Sequence, residues 1–155
     1  MSYSGSPATT FGNIDHLEGE TIPVLADGVV TSATVADGEF TLDSSASDVH
    51  AGFSYNTNIE TLIWELSGAP TNTTRARRKR IIDLTLTLYE TCELTYGPDS
   101  DNLLTMPMTD ATLFTGDKVV EFNGNPEIDS VVYLRQDDPL PLTLIGITAN
   151  IEVGD

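Results

Sequence analysis

Residues 21–36 read TIPVLADGVVTSATVA, and this stretch decides the fold class. Its two halves, Thr21–Ala26 and Val29–Ala36, are rich in β-branched and apolar residues and flank the dipeptide Asp27-Gly28. Asp-Gly between two such runs is a strong signal for a two-residue hairpin turn, because these residues tolerate positive φ. The sequence therefore predicts a β-hairpin.

Similar patterns continue after the hairpin. A second turn dipeptide, Asp37-Gly38, precedes a predicted strand at Glu39–Leu42. We interpret Asp43–Asp48 as a small polar loop and Val49–Tyr55 as another strand. In Glu60–Leu66, large apolar side chains recur at every second position, which predicts a half-buried strand.

Residues 81–89, IIDLTLTLY, allow two interpretations. The even-numbered positions are all apolar and alternate with Asp and Thr, as in a strand. A helix would instead place Ile81, Leu84 and Leu88 on one face. We favour a strand, because the alternation is strict and the two threonines are β-branched.

The C-terminal third is divided into shorter strands. Thr112–Phe114, Val119–Phe122 and Val131–Arg135 form short β-type runs, and Gly116-Asp117 is predicted to be a turn. In the last segment the apolar residues change from even to odd positions, so we expect a β-bulge near Gly146.

These patterns predict a mainly β fold without a long helix. We expect a small hairpin-rich barrel or sandwich at residues 14–58 packed against a second β-sandwich part at residues 59–155, with residues 1–13 as a lead-in segment. The boundary could instead fall within residues 67–74, which are rich in Gly, Pro, Asn and Thr. One continuous β domain is the remaining alternative.

The most unusual bulk property is the charge. Seven basic residues face 24 acidic residues, which gives a formal net charge of −17 at pH 7. Five of the basic residues lie within residues 75–80, so the remainder of the chain carries only Lys118 and Arg135. Such a body repels nucleic acid and anionic membranes, which argues against ordinary DNA or RNA binding. A surface past which DNA slides without adhering would benefit from this charge.

The sequence contains no recognisable catalytic constellation. GxSxG, Walker and GxGxxG motifs are absent, and neither His16 nor His50 lies in a nucleophile context. We interpret His50 as part of a strand surface, His16 as a loop residue and Cys92 as a small buried apolar residue. We therefore predict no enzyme activity, no catalytic residue and no cofactor.

Metal binding is only weakly indicated. One cysteine and two distant histidines do not supply a zinc site. Asp99–Asn102 reads DSDN and resembles the start of a calcium loop, but the glycine and the terminal glutamate of an EF-hand are missing. We interpret this segment as a solvated acidic loop and predict no metal ligand, with weak surface calcium binding as the alternative.

The basic segment TRARRKR, residues 74–80, has several interpretations. It could be a nuclear localisation signal, a phosphate contact or an electrostatic plug for an acidic neighbour, and the simplest structural reading is a solvated loop leading into the next strand. Copies of the same chain present the obvious anionic surface, so among the functional readings we favour a heterologous subunit contact. Its candidate residues are Arg75, Arg77, Arg78, Lys79 and Arg80.

Several segments are informative because of their shared order along the chain. They are HLEGET running on to VLADG (16–28), FTLD followed by VHAGFSY (40–55), RRKRI (77–81), LFTGD (113–117), and RQDDPLPLTL with IEVGD (135–155). Together they resemble the C-terminal part of bacteriophage tail nozzle, or tail tubular, proteins and related stabilisation proteins. Some of these proteins are described as containing a β domain like the first catalytic cysteine half-domain of ubiquitin-activating enzymes. That likeness concerns the fold only, since this chain lacks the adenylation domain and the thioester chemistry.

The resemblance implies a structural role in a virion tail. A nozzle subunit is expected to form a ring, commonly a hexamer, that extends the portal and adaptor and conducts DNA to the host. The implied partners are other copies of the chain and other tail or adaptor proteins, with transient, non-specific passage of DNA and no membrane insertion. The protein would be made in the bacterial host cytoplasm. Since such proteins are usually far longer, we expect an excised C-terminal region, with a genuinely small tail protein as the alternative.

Three other roles stay open. A receptor- or carbohydrate-binding β module would suit a phage tail and should expose aromatic side chains along a shallow groove, yet only 7% of the residues are aromatic. A head–tail connector component is a neighbouring role in the same machine. A wall-degrading hydrolase would need a carboxylate pair in a cleft, and it ranks last.

Overall fold

The computed structural model describes residues 1–66, 74, 77–108 and 113–154. In this part of the chain the regular structure consists of one short 3-10 helix, Asp15–Leu17, and eleven strands. The strands are β1 Ser2–Gly12, β2 Thr21–Ala26, β3 Val29–Thr34, β4 Glu39–Ala51, β5 Thr57–Glu60, β6 Lys79–Thr91, β7 Thr95–Gly97, β8 Leu104–Thr105, β9 Phe114–Glu121, β10 Tyr133–Gln136 and β11 Leu144–Val153. The predicted mainly β fold class is confirmed.

Two compact units make up the chain. The first unit comprises Met1–Asn56 and Asp137–Leu140, and the second comprises Thr57–Gln136 and Pro141–Asp155. The alternative boundary predicted at residues 67–74 falls almost wholly outside the described residues, so the domain boundaries given above stay predictions.

The first unit is built on an antiparallel four-stranded sheet in the order β1-β4-β2-β3. β2 and β3 pair over all six residues of each strand. Asp27 and Gly28 close this hairpin with φ of 47° and 84°, the left-handed conformation that such a turn needs. The hairpin predicted from residues 21–36 is confirmed.

Two segments that the sequence placed outside strands belong to this sheet. The lead-in forms β1, which pairs with β4 and carries register shifts between Ser4 and Thr10. Asp43–Asp48 is the middle of β4 and not a loop. Its single buried side chain is that of Ala46, so a strand with mostly solvated, small or acidic side chains had the composition of a loop.

The core of the first unit combines strand residues with residues around the 3-10 helix. Phe11 and Phe40 stack with ring centroids 5.4 Å apart, and Tyr3 meets Phe11 edge-on at 5.1 Å. Further fully buried members are Ile14, Leu17, Ile22, Val24 and Val49.

Two antiparallel sheets, β5-β10-β7-β8 and β11-β6-β9, form the second unit. They share one hydrophobic cluster, to which β6 contributes Leu84, Leu86 and Leu88, while Tyr96 of β7 and Leu134 of β10 enter from the other sheet. The three leucines are at most 1% exposed. Two sheets that bury their facing side chains in one core form a β-sandwich.

β6 confirms the strand interpretation of residues 81–89 but corrects its phase. Ile81 is 1% exposed and Ile82 is 45% exposed, so the buried side of the strand changes parity. The pairing with β11 shifts register at this point, because Asp83 and Ile81 lie opposite the adjacent residues Asn150 and Ile151. Ile82 is therefore the extra residue of a β-bulge. The sequence does not indicate this bulge, because residues 81 and 82 are both isoleucine.

Three further predictions have clear outcomes. β5 ends at Glu60 and Leu62 is 90% exposed, so the strand predicted at Glu60–Leu66 is wrong beyond its first residue. Gly116-Asp117 is not a turn but lies within β9, which stays paired with β6 while Gly116 adopts φ of 138°. The bulge expected near Gly146 is confirmed by a register shift between Leu144 and Gly146.

Candidate interface: a basic segment and an acidic cleft

The basic segment is divided among different environments. Arg75 lies outside the described residues. Arg77 and Arg78 precede β6 and are exposed, and Arg80 is exposed within β6. Lys79, between the latter two, is 0% exposed. The reading of the whole segment as a solvated loop is therefore wrong for Lys79 and Arg80.

Lys79 holds the start of β6 in place. Its Nζ donates hydrogen bonds to the backbone oxygens of Thr74 at 3.1 Å and Arg77 at 3.2 Å. Its backbone exchanges hydrogen bonds with Glu127 at 2.7 and 3.0 Å, and Ser130 Oγ donates to its carbonyl oxygen at 2.7 Å. A buried ammonium needs such acceptors because the transfer from water is costly. The alternation in the sequence puts residues 79 and 81 opposite the even-numbered apolar positions, so it did not predict this burial. The bulge at Ile82 brings both residues to the buried side.

The exposed arginines have no carboxylate partner in the described ranges of the chain. Within the part of the chain that the structure describes, no ion pair joins Arg77, Arg78 or Arg80 to an acidic residue. Arginine is strongly favoured in bidentate contacts with carboxylates. Three guanidinium groups thus have no carboxylate partner among the described residues, on a molecule whose other charges are almost all negative.

An acidic cleft of about 550 Å³ opens in the second unit. Residues from 96–104 and from 122–131 line it together with Ile81. Four of the lining residues are carboxylates, namely Asp99, Asp101, Glu127 and Asp129, and none is basic. Sequence analysis singled out only the first two, because the other two lie about thirty residues further along the chain and the fold brings them together.

The cleft also has aromatic lining residues, which belong to the sandwich core. Tyr96 and Phe122 are each 5% exposed. Burial, and to a lesser extent the charge of Glu121, raises the pKa of Tyr96 above its ordinary value of 10.0. No hydrogen bond joins the Tyr96 hydroxyl to another described residue. The cleft thus combines carboxylates with a protonated hydroxyl that has no hydrogen-bond partner among the described residues.

Asp99 shapes one side of the cleft. Its Oδ1 accepts hydrogen bonds from the backbone amides of Asp101 and Asn102 and from Asn102 Nδ2, all at 2.9 Å, and its Oδ2 accepts from the same Nδ2 at 2.9 Å. The side-chain bond from Asn102, followed by the amide of Asp101, holds the pKa of Asp99 below its ordinary value of 3.8. The carboxylate thus accepts these hydrogen bonds from residues of its own loop. Among the described residues, no group of three or more His, Cys, Asp and Glu could hold a metal ion.

The two histidines and the cysteine do not line the acidic cleft. His50 lies exposed on β4, 3.6 Å from the carboxylate of Asp48, which confirms its assignment to a strand surface. His16 lies in the 3-10 helix and not in a loop. Cys92 is 8% exposed, and burial, with a smaller contribution from Glu93, raises its thiol pKa above 9.0. Its assignment as a small buried residue is confirmed.

Comparison with protein-family models and with curated proteins gave no match to this sequence. Among the described residues, no helix is long and apolar enough to span a bilayer.

Proposed function

We propose that this chain is a non-catalytic structural subunit of a bacteriophage tail, a nozzle or tail-tube protein that assembles into a ring for DNA delivery. The observation that carries the proposal is the set of three exposed arginines without carboxylate partners in the described chain, on a molecule with 24 acidic residues. Such a distribution favours contacts between copies, where the arginines of one subunit meet carboxylates of the next.

The acidic surface supports the second half of the proposal. DNA passing through a ring must not adhere to the wall, and a net charge of −17 provides long-range repulsion. The basic segment, in this arrangement, is neutralised by neighbouring subunits and leaves the lumen acidic. The mainly β architecture and the ordered resemblance of residues 14–155 to tail nozzle proteins are consistent with this role.

The mass of the particle in solution tests the proposal. Wild-type protein should form a ring with a central channel at low salt, seen by light scattering and negative-stain electron microscopy, and the ring should loosen at high salt because ions screen exposed charge pairs. R77E/R78E should lower the mass, whereas E20K/D43K, two exposed acidic residues of the first unit, should leave it unchanged. Wild-type monomers at both salt concentrations would contradict the proposal.

A receptor- or carbohydrate-binding module is a second candidate, favoured by one observation. Phe53 and Tyr55, two residues apart after the end of β4, are 68% and 76% exposed. Exposed aromatic rings of this kind stack on sugar faces or on a partner protein. A glycan array with wild-type and F53A/Y55A chains tests this role, which requires binding that disappears in the double variant.

A further inference from the structure

We propose that the acidic cleft of the second unit receives Arg77 and Arg78 of a second copy of this chain. The inference rests on the proposed ring assembly and specifies the two surfaces that meet. It commits to one occupant, a basic segment of an identical chain.

The chemistry of the cleft suits guanidinium groups. Asp99, Asp101, Glu127 and Asp129 line it without a basic residue among the lining side chains. Carboxylates bind guanidinium in a planar, bidentate manner.

Tyr96 adds a polar group to the cleft. Its side chain is 5% exposed and lines the cleft, and its hydroxyl has no hydrogen-bond partner among the described residues. The only described buried side-chain atom without a hydrogen-bond partner is Trp64 Nε1, so the Tyr96 hydroxyl is open to the cleft and can accept a hydrogen bond from a group that enters it. A guanidinium N–H can donate to this oxygen at the same time as it bridges the carboxylates.

The occupant comes from another copy because the basic segment does not line the cleft of its own chain. Successive side chains of a strand point to opposite faces, so Arg80 lies on the side opposite Ile81, the β6 residue that lines the cleft. Neither Arg77 nor Arg78 lines the cleft of its own chain. Lys79 Nζ donates a hydrogen bond to the carbonyl oxygen of Arg77. This bond fixes the backbone conformation of the basic segment.

The two surfaces differ, so the contact is heterologous. A heterologous contact repeats from subunit to subunit and closes into a ring when the rotation between copies permits it. The cleft and the basic segment lie in the same unit, so this contact needs only the second unit of each copy.

The test mixes two variants that each retain one surface. R77E/R78E keeps the cleft and loses the basic segment, whereas D101K/D129K keeps the basic segment and loses the cleft. Asp101 and Asp129 are exposed and their side chains have no hydrogen bond or ion pair among the described residues, so the substitutions leave the fold intact. Asp99 is left unchanged because it closes its own loop. Circular dichroism checks the fold, and D101N/D129N serves as a milder second variant.

Each variant alone should lose self-association by at least about tenfold. Their equimolar mixture should give a 1:1 dimer, and no larger particle, that dissociates as salt is raised. E20K/D43K should self-associate like the wild type.

The outcomes separate this inference from the proposed function. If wild-type rings form and D101K/D129K assembles equally well, the cleft is not the binding surface, while the ring proposal stands. If the mixture dimerises but the wild type never closes into a ring, the pairing is correct and the ring is wrong. A mixture that stays monomeric at low salt overturns the inference.

Discussion

Lys79 shows that a single position in a run of like charges can have a structural role of its own. Its neighbours Arg78 and Arg80 are exposed, whereas its ammonium lies in the interior and bonds to the carbonyls of Thr74 and Arg77. A flexible lysine, with three rotatable donors, can satisfy several backbone oxygens at once. We therefore assign the intermolecular role to the arginines and an intramolecular role to Lys79.

Replacing Lys79 by methionine should destabilise the protein. The methionine keeps the apolar stem but leaves the carbonyl oxygens of Thr74, which is buried, and of Arg77, which is partly buried, without their donor. The loss costs about 1–3 kcal/mol. Urea denaturation measures the loss, and R80M, an exposed position of the same strand, should change stability by less than about 0.5 kcal/mol. Equal stability of K79M and R80M would contradict the structural role of the lysine.

Asp99 should titrate below its ordinary value of 3.8, because Asn102 and the amide of Asp101 hydrogen-bond to the charged form. A group with a lowered folded-state pKa contributes stability above its unfolded pKa, and this contribution disappears as the pH falls through the folded pKa. NMR should show the amides of residues 101 and 102 shifting in that window. In D99N these shifts should be absent, and a midpoint at or above 3.8 in the wild type would refute the assignment.

At the scale of elements, the two Asp-Gly turns impose the register of the first unit. Gly28 and Gly38 have φ of 84° and 73°, and each follows an aspartate that also has positive φ. Since the turn fixes which residues of the flanking strands pair, it also fixes which face of each strand enters the core. The sandwich of the second unit instead depends on bulges, at Ile82 and near Gly146.

Alanine substitutions at the two turn glycines should differ in cost. Both positions require a left-handed backbone, which costs an alanine about 1–2 kcal/mol. A Cβ at Gly28 would meet nothing within 4 Å, whereas a Cβ at Gly38 would collide with the carboxylate of Asp15. Thermal unfolding should therefore show a larger loss for G38A than for G28A, and the reverse order would show that the Asp15 contact is unimportant.

At the scale of the whole molecule, charge has opposite effects on folding and on assembly. A net charge of −17 on 155 residues disfavours the compact state through self-repulsion. The proposed contact between copies, in contrast, depends on attraction between arginines and carboxylates. Salt screens both interactions.

Raising the salt concentration should therefore stabilise the fold while it weakens association. We expect the Tm of R77E/R78E, which isolates the fold from assembly, to rise with sodium chloride, and the mass of wild-type particles to fall over the same range. Scanning calorimetry and light scattering measure the two quantities. If Tm falls with salt, attractive surface pairs outweigh repulsion within the chain.

The sequence by itself determined the mainly β class, the hairpin at residues 21–36, the strand character of residues 81–89 and the bulge near Gly146. These features depend on local turn chemistry and on the alternation of side chains, which a linear sequence records. It also identified the basic segment and its contrast with the acidic remainder of the chain.

Only the tertiary structure decided how those residues are used. The burial of Lys79, the outward position of Ile82 and the strand at Asp43–Asp48 depend on which strands pair and with what offset. The acidic cleft joins carboxylates from two segments that are distant in sequence, Asp99–Asp101 and Glu127–Asp129. Pairing between distant strands is set by the global packing of the core, and no local pattern specifies it.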